Sequence, residues 1–268
     1  RYPNMRPKWS LTHPHKNKML TESIRGLPLD QFTEILIIGL ESHFVQYPNM
    51  GSVLTEEIGK LTDTSVTLVL LPESTANQAE TVYLGLKKAN ITGPIFVKDS
   101  DNYFSIDTIP EDNCVAFIDL NKYGNINAIN KSYIQSSPLG MIQNIVEKQV
   151  ISNTFCCGGY GFNKVEDFNV AYEQLLTIPD VDQSQFYISH LISYLMFNTA
   201  SDWKAIEADN FIDWGTKEEW LKFQSEYKTL FLDIDGVLIG QNDNDMSYDA
   251  PLQKNIDHIN KLYKSGTV

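Results

Sequence analysis

The sequence has few cysteines and no cysteine–histidine pattern for a metal. Cys114, Cys156 and Cys157 are the three cysteines among 268 residues, an odd number that gives no disulfide framework. No CxxC pair or cysteine–histidine spacing typical of zinc occurs. We therefore expect buried thiols in a protein of the reducing cytoplasm.

Long apolar runs and an excess of basic residues are also absent. The longest apolar stretches, such as ILIIGL and VTLVLL, have the length of strands and predict no membrane partner. The 21 basic and 34 acidic residues give a net charge of −13, which argues against a nucleic-acid partner because phosphate backbones attract basic surfaces. An acidic protein can still bind a nucleotide through Mg²⁺. The composition leaves a homo-oligomer open.

Short β-branched runs alternate with amphipathic segments. Strands are predicted at 32–40, 65–71, 94–99, 114–120, 153–162 and 229–234, and helices at 17–26, 73–89, 165–176, 184–197 and 217–227. This alternation predicts an α/β fold with a mixed, mainly parallel sheet and helices on both faces. A charged helix meets a new strand near Tyr227, so we expect one domain over 1–226 and the beginning of another over 227–268.

Three aspartates lie at the ends of predicted strands or helices. Asp99 and Asp101 follow the apolar strand PIFVK, at the edge where open α/β sheets bind ligands, and their carboxylates suit Mg²⁺. Asp213 precedes a helix that Thr216 caps. A capped turn and a simple helix start are the alternatives to a metal site.

The beginning of the chain is cationic. Arg1, Arg6 and Lys8 lie in a loop interrupted by prolines, and such a loop suits a polyphosphate because each phosphoryl oxygen takes a charged donor. A solvated terminal loop is the alternative.

Two further polar groups have a structural and a functional interpretation. Glu147 and Lys148 precede a strand, as a surface pair or as ligands. Asn77 and Gln78 begin a helix, where they can cap it or read the edge of a base.

In this order the motifs resemble those of the sugar-phosphate nucleotidyltransferases, which have a Rossmann-like, GT-A-like fold. Arg1 resembles the arginine that closes the family's G-x-G-x-R loop, and Lys8 belongs to the R-P-K that follows. The family's first strand and its glycines would precede residue 1. Asn77-Gln78-Ala79 is similar to the G-Q-A turn that faces the base, with asparagine in place of glycine.

The resemblance extends to the later motifs. Asp101 and the Asp213 of D-W-G-T are similar to the two aspartates that bind Mg²⁺. Glu147-Lys148 resembles the E-K that contacts the sugar and its phosphate. Asn153 and Gly159 resemble the loop and strand that line the acceptor pocket.

The family's activity supplies the expected function. It couples a nucleoside triphosphate (CTP, UTP, dTTP or GTP) to a sugar or polyol phosphate and releases pyrophosphate. Arg1 and Lys8 would neutralise the charge on the α-phosphorus and the pyrophosphate, and Lys148 would position the acceptor phosphate. The product would be a nucleotide-activated sugar for a capsule or surface polysaccharide.

The stretch TLFLDIDGVLIG, residues 229–240, resembles motif I of the haloacid-dehalogenase-like phosphatases. Asp233 would be the nucleophile and Asp235 the general acid, and both would bind Mg²⁺. This stretch would supply the first strand of that domain, and the following segment YDAPLQKNIDHINKLYKSGTV, residues 248–268, its first helix, in a bifunctional protein. The alternatives to the transferase are therefore a phosphomonoesterase and a non-catalytic nucleotide-binding module.

Overall fold

The computed structural model describes residues 6–123, 130–179, 186–228, 230–240 and 251–265. The chain divides into two compact units, Arg1–Asp213 and Trp214–Val268. The first unit contains all the strands of the described residues and six α-helices, and the second contains two α-helices.

The strands are β1 (Glu34–Leu40), β2 (Ser65–Leu71), β3 (Ile95–Lys98), β4 (Asn102–Ser105), β5 (Cys114–Asp119), β6 (Ser132–Ser136), β7 (Ile142–Glu147), β8 (Thr154–Phe162), β9 (Lys204–Glu207) and β10 (Asp209–Asp213). The helices are α1 (Met19–Ile24), α2 (Glu41–Gln46), α3 (Met50–Gly59), α4 (Gln78–Ala89), α5 (Val165–Leu175), α6 (Ile188–Asn198), α7 (Lys217–Ser225) and α8 (Gln253–Lys264).

The first unit contains three sheets. β1 and β2 form a parallel pair, and β4 and β10 form an antiparallel pair. The largest sheet has the order β7-β6-β8-β5-β9, with β3 also paired to β8. In that sheet β5 runs parallel to β9, whereas β3, β5 and β6 are antiparallel to β8. The predicted mixed α/β architecture is confirmed.

Helices pack on both faces of the largest sheet. On β8, successive side chains point to opposite faces, so Cys156 joins the core under α4, α5 and α6, and Cys157 joins the core under α1 and α3. All three thiols are buried, as the sequence predicted. The two cores hold β3 and β8 rigidly between layers, and these strands position the candidate site.

The second unit contains α7, α8 and the motif-I segment. α7 begins with a capping box in which the Thr216 side chain accepts the Glu219 N–H and Glu219 bonds back to Thr216. α8 forms where the sequence predicted a helix. The strand predicted over 229–234 is absent from residues 230–234, because no strand of the described part of this unit is available to pair with it. Phe231 is 90% exposed there.

Among the described residues, no helix combines the length and the apolar character that crossing a membrane requires.

Candidate active site

The turn between β3 and β4 carries two of the predicted aspartates, and Lys98 organises it. The Lys98 ammonium donates to the Asp99 carbonyl at 2.6 Å and to the Asn102 side-chain oxygen at 2.7 Å. It also lies 4.5 Å from the Phe104 ring centroid. Burial lowers the pKa of Lys98 to about 8, against the opposing effect of Asp99. A lysine below the turn therefore fixes the backbone that presents Asp99 and Asp101.

Asp99 joins this turn to the beginning of α4. The Gln78 amide donates to the Asp99 carboxylate, and the Asp99 N–H donates to the Gly158 carbonyl at 2.8 Å. Asn77 caps α4 by accepting the Glu80 N–H at 2.8 Å. Burial, with the nearby Asp101 charge, raises the pKa of Asp99 to about 6. The structure thus brings Asn77 and Gln78 to the carboxyl end of β3.

Asp101 forms an ion pair with the cationic beginning of the chain. The Lys8 ammonium lies 2.8 Å from an Asp101 carboxylate oxygen, and the two side chains are 46% and 35% exposed. Lys8 begins the short 3₁₀ helix Lys8–Ser10, directly after Pro7. The pair is therefore accessible to a ligand, and it places a phosphate-binding type of side chain beside a carboxylate.

Asp213 lies beside Asp101 in space although it is far along the chain. β10 pairs with β4 so that Asp213 is opposite Asn102, the residue after Asp101. The Asp213 carboxylate forms an ion pair with Lys131, and the two side chains are only 10% and 22% exposed. Strand pairing thus brings the backbone of Asp213 next to that of Asp101, which lies two residues after Asp99.

Glu147 and Lys148 lie at the end of β7, in a small polar cluster. The Glu147 carboxylate accepts hydrogen bonds from Ser132 and, at 2.7 Å, from Ser189. The Lys148 ammonium bonds the Tyr187 hydroxyl and lies 4.4 Å from that ring's centroid. Lys148 has a φ of 54°, which turns the chain sharply after β7. The pair is therefore held by β6 and α6, and is not a free surface pair.

The structure does not bring Asn153 and Gly159 together. Asn153 is exposed immediately before β8, whereas Gly159 is buried and pairs with Lys98. Six residues of extended strand separate them, about 20 Å. A Cβ on Gly159 would lie 2.8 Å from the Phe96 and Phe104 rings. Gly159 thus permits close packing below the Lys98 turn.

The remaining predicted residues lie elsewhere. Arg1 is outside the described residues. Asp233 and Asp235 belong to the second unit and are exposed in the segment that forms no strand. Asp233 accepts the N–H of the next residue at 2.8 Å, a local turn contact.

One further group of ligand-type side chains lies among the described residues, at the beginning of α1. His13, His15 and Glu22 place ligand atoms within 4.8 Å of one another. However, Arg25 donates to both Glu22 oxygens at 2.9 and 2.7 Å, and Asn17 donates to one at 2.7 Å. Burial alone would raise the pKa of Glu22, but these hydrogen bonds lower it. The carboxylate is thus saturated by donors, which favours a closed polar cluster over a metal centre.

Sequence reasoning missed the two lysines that most closely accompany the aspartates. Lys98 had a usable signal, since a lysine at the end of an apolar strand must find a polar partner when buried. Lys131 had no signal in the sequence, because its partner Asp213 comes from a remote strand. Only the register of β4 with β10 determines where Asp213 lies. The role of Asp99 in contacting Gln78 was also not predicted.

The backbone resembles solved structures of nucleotide-transferring enzymes. A nucleoside-diphosphate-sugar pyrophosphorylase from Vibrio cholerae RC9 superposes with a TM-score of 0.68 at 21% identity, over 82% of this chain and 91% of that one. A putative glucose-1-phosphate thymidylyltransferase from Bacillus anthracis gives 0.61 at 17% identity, over 81% and 85%. The CTP:phosphocholine cytidylyltransferase from Streptococcus pneumoniae gives 0.58 at 14% identity, over 82% and 89%.

At the level of sequence, no family model and no curated protein matches the chain. The structural likeness therefore establishes the fold, and the predicted Rossmann-like nucleotidyltransferase fold is confirmed.

Proposed function

We propose that the chain is a nucleotidyltransferase that joins a nucleoside triphosphate to the phosphate of a sugar, a polyol or a similar small alcohol, with release of pyrophosphate. The observation that carries the proposal is the pairing of β4 with β10, which sets Asp213 opposite the residue after Asp101. Two carboxylates at one strand edge, with Lys8 on one of them, form a site for a metal–polyphosphate complex. The fold shared with nucleotidyltransferases supports this assignment.

Asp101 and Asp213 fit Mg²⁺ by their chemistry. Mg²⁺ prefers carboxylate oxygens, takes one or two of them, and keeps the remaining positions for water and phosphate. Asp101 is partly exposed and Asp213 largely buried, so the pair offers one fixed and one accessible ligand. A bound Mg²⁺ would supply charge neutralisation on the phosphates.

Different residues would bind the triphosphate and the acceptor. Lys8, with Arg1, would contact the triphosphate, and Asn77 with Gln78 would face the base. Gln78 is suited to this because its N–H group donates to Asp99, which leaves its carbonyl oxygen to accept from a base. Glu147 and Lys148 would bind the acceptor on the other side, held by the contacts of Ser189 and Tyr187.

The chemical step needs no protein nucleophile. An oxygen of the acceptor phosphate attacks the α-phosphorus, a new P–O bond forms, and the bond to the β-phosphate bridging oxygen breaks. Pyrophosphate leaves with that electron pair, and no proton must move because the acceptor oxygen is already anionic. Cationic side chains that hold both substrates in line therefore provide the rate acceleration.

Pyrophosphate release tests the proposal. The protein with Mg²⁺ is assayed against CTP, UTP, dTTP and GTP, each with a panel of sugar, polyol and amino-alcohol phosphates. We expect release with one triphosphate and one acceptor class, and a loss of at least about 100-fold in kcat for Asp101→Asn, the scale of losing one transition-state contact. Asp233→Asn is the matched control and should retain full release.

Three outcomes would count against the proposed site or the proposed activity. Full turnover by Asp101→Asn would exclude the proposed site. Release of inorganic phosphate from a phosphomonoester, abolished by Asp233→Asn, would instead support the phosphatase suggested by motif I. Binding of a triphosphate without turnover on any acceptor would support the non-catalytic module.

A further inference from the structure

The two aspartates proposed to bind the metal are each already paired with a lysine. Lys8 contacts Asp101 at 2.8 Å, and Lys131 contacts Asp213. The first pair is partly exposed, but the second is largely buried, so the Lys131 ammonium neutralises a carboxylate that solvent barely reaches. An isolated carboxylate in that position would be costly.

Lys131 also lies at the acceptor side of the site. Its backbone carbonyl accepts the Lys148 N–H at 3.1 Å. The next residue, Ser132, pairs in register with Glu147 and donates to its carboxylate. The Lys131 backbone therefore lies beside the Glu147–Lys148 turn, and the Lys131 side chain contacts Asp213.

Phe211 flanks the Lys131 side chain. The Lys131 ammonium lies 5.6 Å from the Phe211 ring centroid, which limits the directions in which the side chain can move.

An ammonium group and a divalent cation cannot both bind directly to the same buried carboxylate. They compete for the same oxygen lone pairs and repel each other at short distance, strongly so where solvent is excluded. A lysine released from Asp213 would need a new anion within reach of its side chain. The phosphate of an acceptor held by Lys148 and Glu147 is such an anion, next to the Lys131 backbone.

We propose that Lys131 is a catalytic residue of this site, which neutralises Asp213 until a divalent cation binds there and then contacts the acceptor phosphate. The proposal depends on the proposed transferase function for its second part. The first part, competition with the cation, concerns only the protein and the metal.

Mn²⁺ binding to the substrate-free protein, measured by the EPR signal of free Mn²⁺, tests the competition. We expect Lys131→Met to bind Mn²⁺ about tenfold more tightly than the unaltered protein, because a competing like charge is removed. Lys131→Arg keeps the charge and should bind as the unaltered protein does. Lys204→Met breaks the exposed pair with Asp112 and is the matched control, with unchanged affinity.

The tighter Mn²⁺ binding of Lys131→Met must also depend on Asp213. We expect the double variant Lys131→Met/Asp213→Asn to lack this increase in affinity. Equal or weaker Mn²⁺ binding by Lys131→Met, or a gain that persists in the double variant, would overturn the proposal. Lys131→Gln, which retains a hydrogen-bond donor, carries the same expectation and serves where the methionine variant does not fold.

The catalytic part is read from pyrophosphate release. Lys131→Met should lower kcat and raise KM for the acceptor, with KM for the triphosphate unchanged, and a rise in KM for the triphosphate alone would exclude acceptor contact. If the unaltered protein releases no pyrophosphate from any substrate pair, the transferase function and the catalytic role fail together. The Mn²⁺ comparison still decides whether Lys131 competes for Asp213.

Discussion

Gly158 is the point at which β8 approaches the Asp99 carboxylate, and Gly158→Ala tests that geometry. Gly158 has a φ of +87°, and an added Cβ would lie 2.4 Å from an Asp99 carboxylate oxygen and 2.7 Å from its Cγ. The backbone strain costs about 1–2 kcal/mol. Moving the carboxylate away from the Gln78 amide costs about 1–2 kcal/mol more.

The expected loss is therefore about 2–4 kcal/mol, which for a unit of this size lowers Tm by about 5–12 °C. Thermal unfolding followed by circular dichroism measures it. Gly93→Ala separates the two contributions, because Gly93 has a φ of +84° and no atom within 4 Å of an added Cβ. Gly93→Ala should therefore lower the free energy of unfolding only by the cost of the backbone strain, about 1–2 kcal/mol.

A second variant isolates the steric contact. Asp99→Ala removes the carboxylate oxygen and the Cγ that the new Cβ would meet and leaves only the Asp99 Cβ, at 2.8 Å, so Gly158→Ala should cost less in that background than in the unaltered protein. Equal destabilisation by Gly158→Ala and Gly93→Ala would refute the close approach. So would an unchanged cost of Gly158→Ala when Asp99 is absent.

Two further predictions concern the polar cluster around α1. Burial lowers the pKa of His13 to about 4, so as the pH falls the unfolded chain takes up a proton before the folded protein does. The free energy of unfolding should therefore fall by about 2–3 kcal/mol between pH 6.5 and pH 4. His13→Asn should make Tm less dependent on pH over that range, whereas His258→Asn, at an exposed position, should leave the dependence unchanged. Arg25→Ala leaves the buried Glu22 carboxylate without its fork of donors and should cost about 2–3 kcal/mol in chemical denaturation. Lys60→Ala breaks an exposed pair that solvent screens, so it should cost much less than Arg25→Ala, and equal costs would contradict the role of the cluster.

The fold was largely readable from the sequence because its main elements have strong periodic patterns. The runs at 65–71 and 114–120 form β2 and β5, and the helix over 165–176 has an apolar face that packs in the core beneath α5. β4 and β10 were not predicted. Both are short and polar at one end, and pairing between them, which no local pattern encodes, is what stabilises them.

The candidate site was predictable only where a single segment carries it. Asp101 follows a recognisable strand, and Lys8 belongs to a recognisable motif. Lys131 could not be found from sequence, because a lysine before a strand has many ordinary uses. Its contact with Asp213 joins residues about 80 positions apart in the chain, and the position of Asp213 depends on the pairing of β10 with β4.

The same physical reasoning explains why the strongest sequence motif is not where the structure holds carboxylates in fixed positions. Catalysis by carboxylates requires that they be held in place, and a strand holds its residues only when a neighbouring strand pairs with it. Asp101 and Asp213 meet this condition through β4 and β10. Asp233 and Asp235 are exposed in a segment that, among the described residues, forms isolated β-bridges (Asp235 with Ile239, Ile239 with Pro251) but no strand. Among the described residues, the aspartates of the predicted sites that strand pairing positions are those of the first unit.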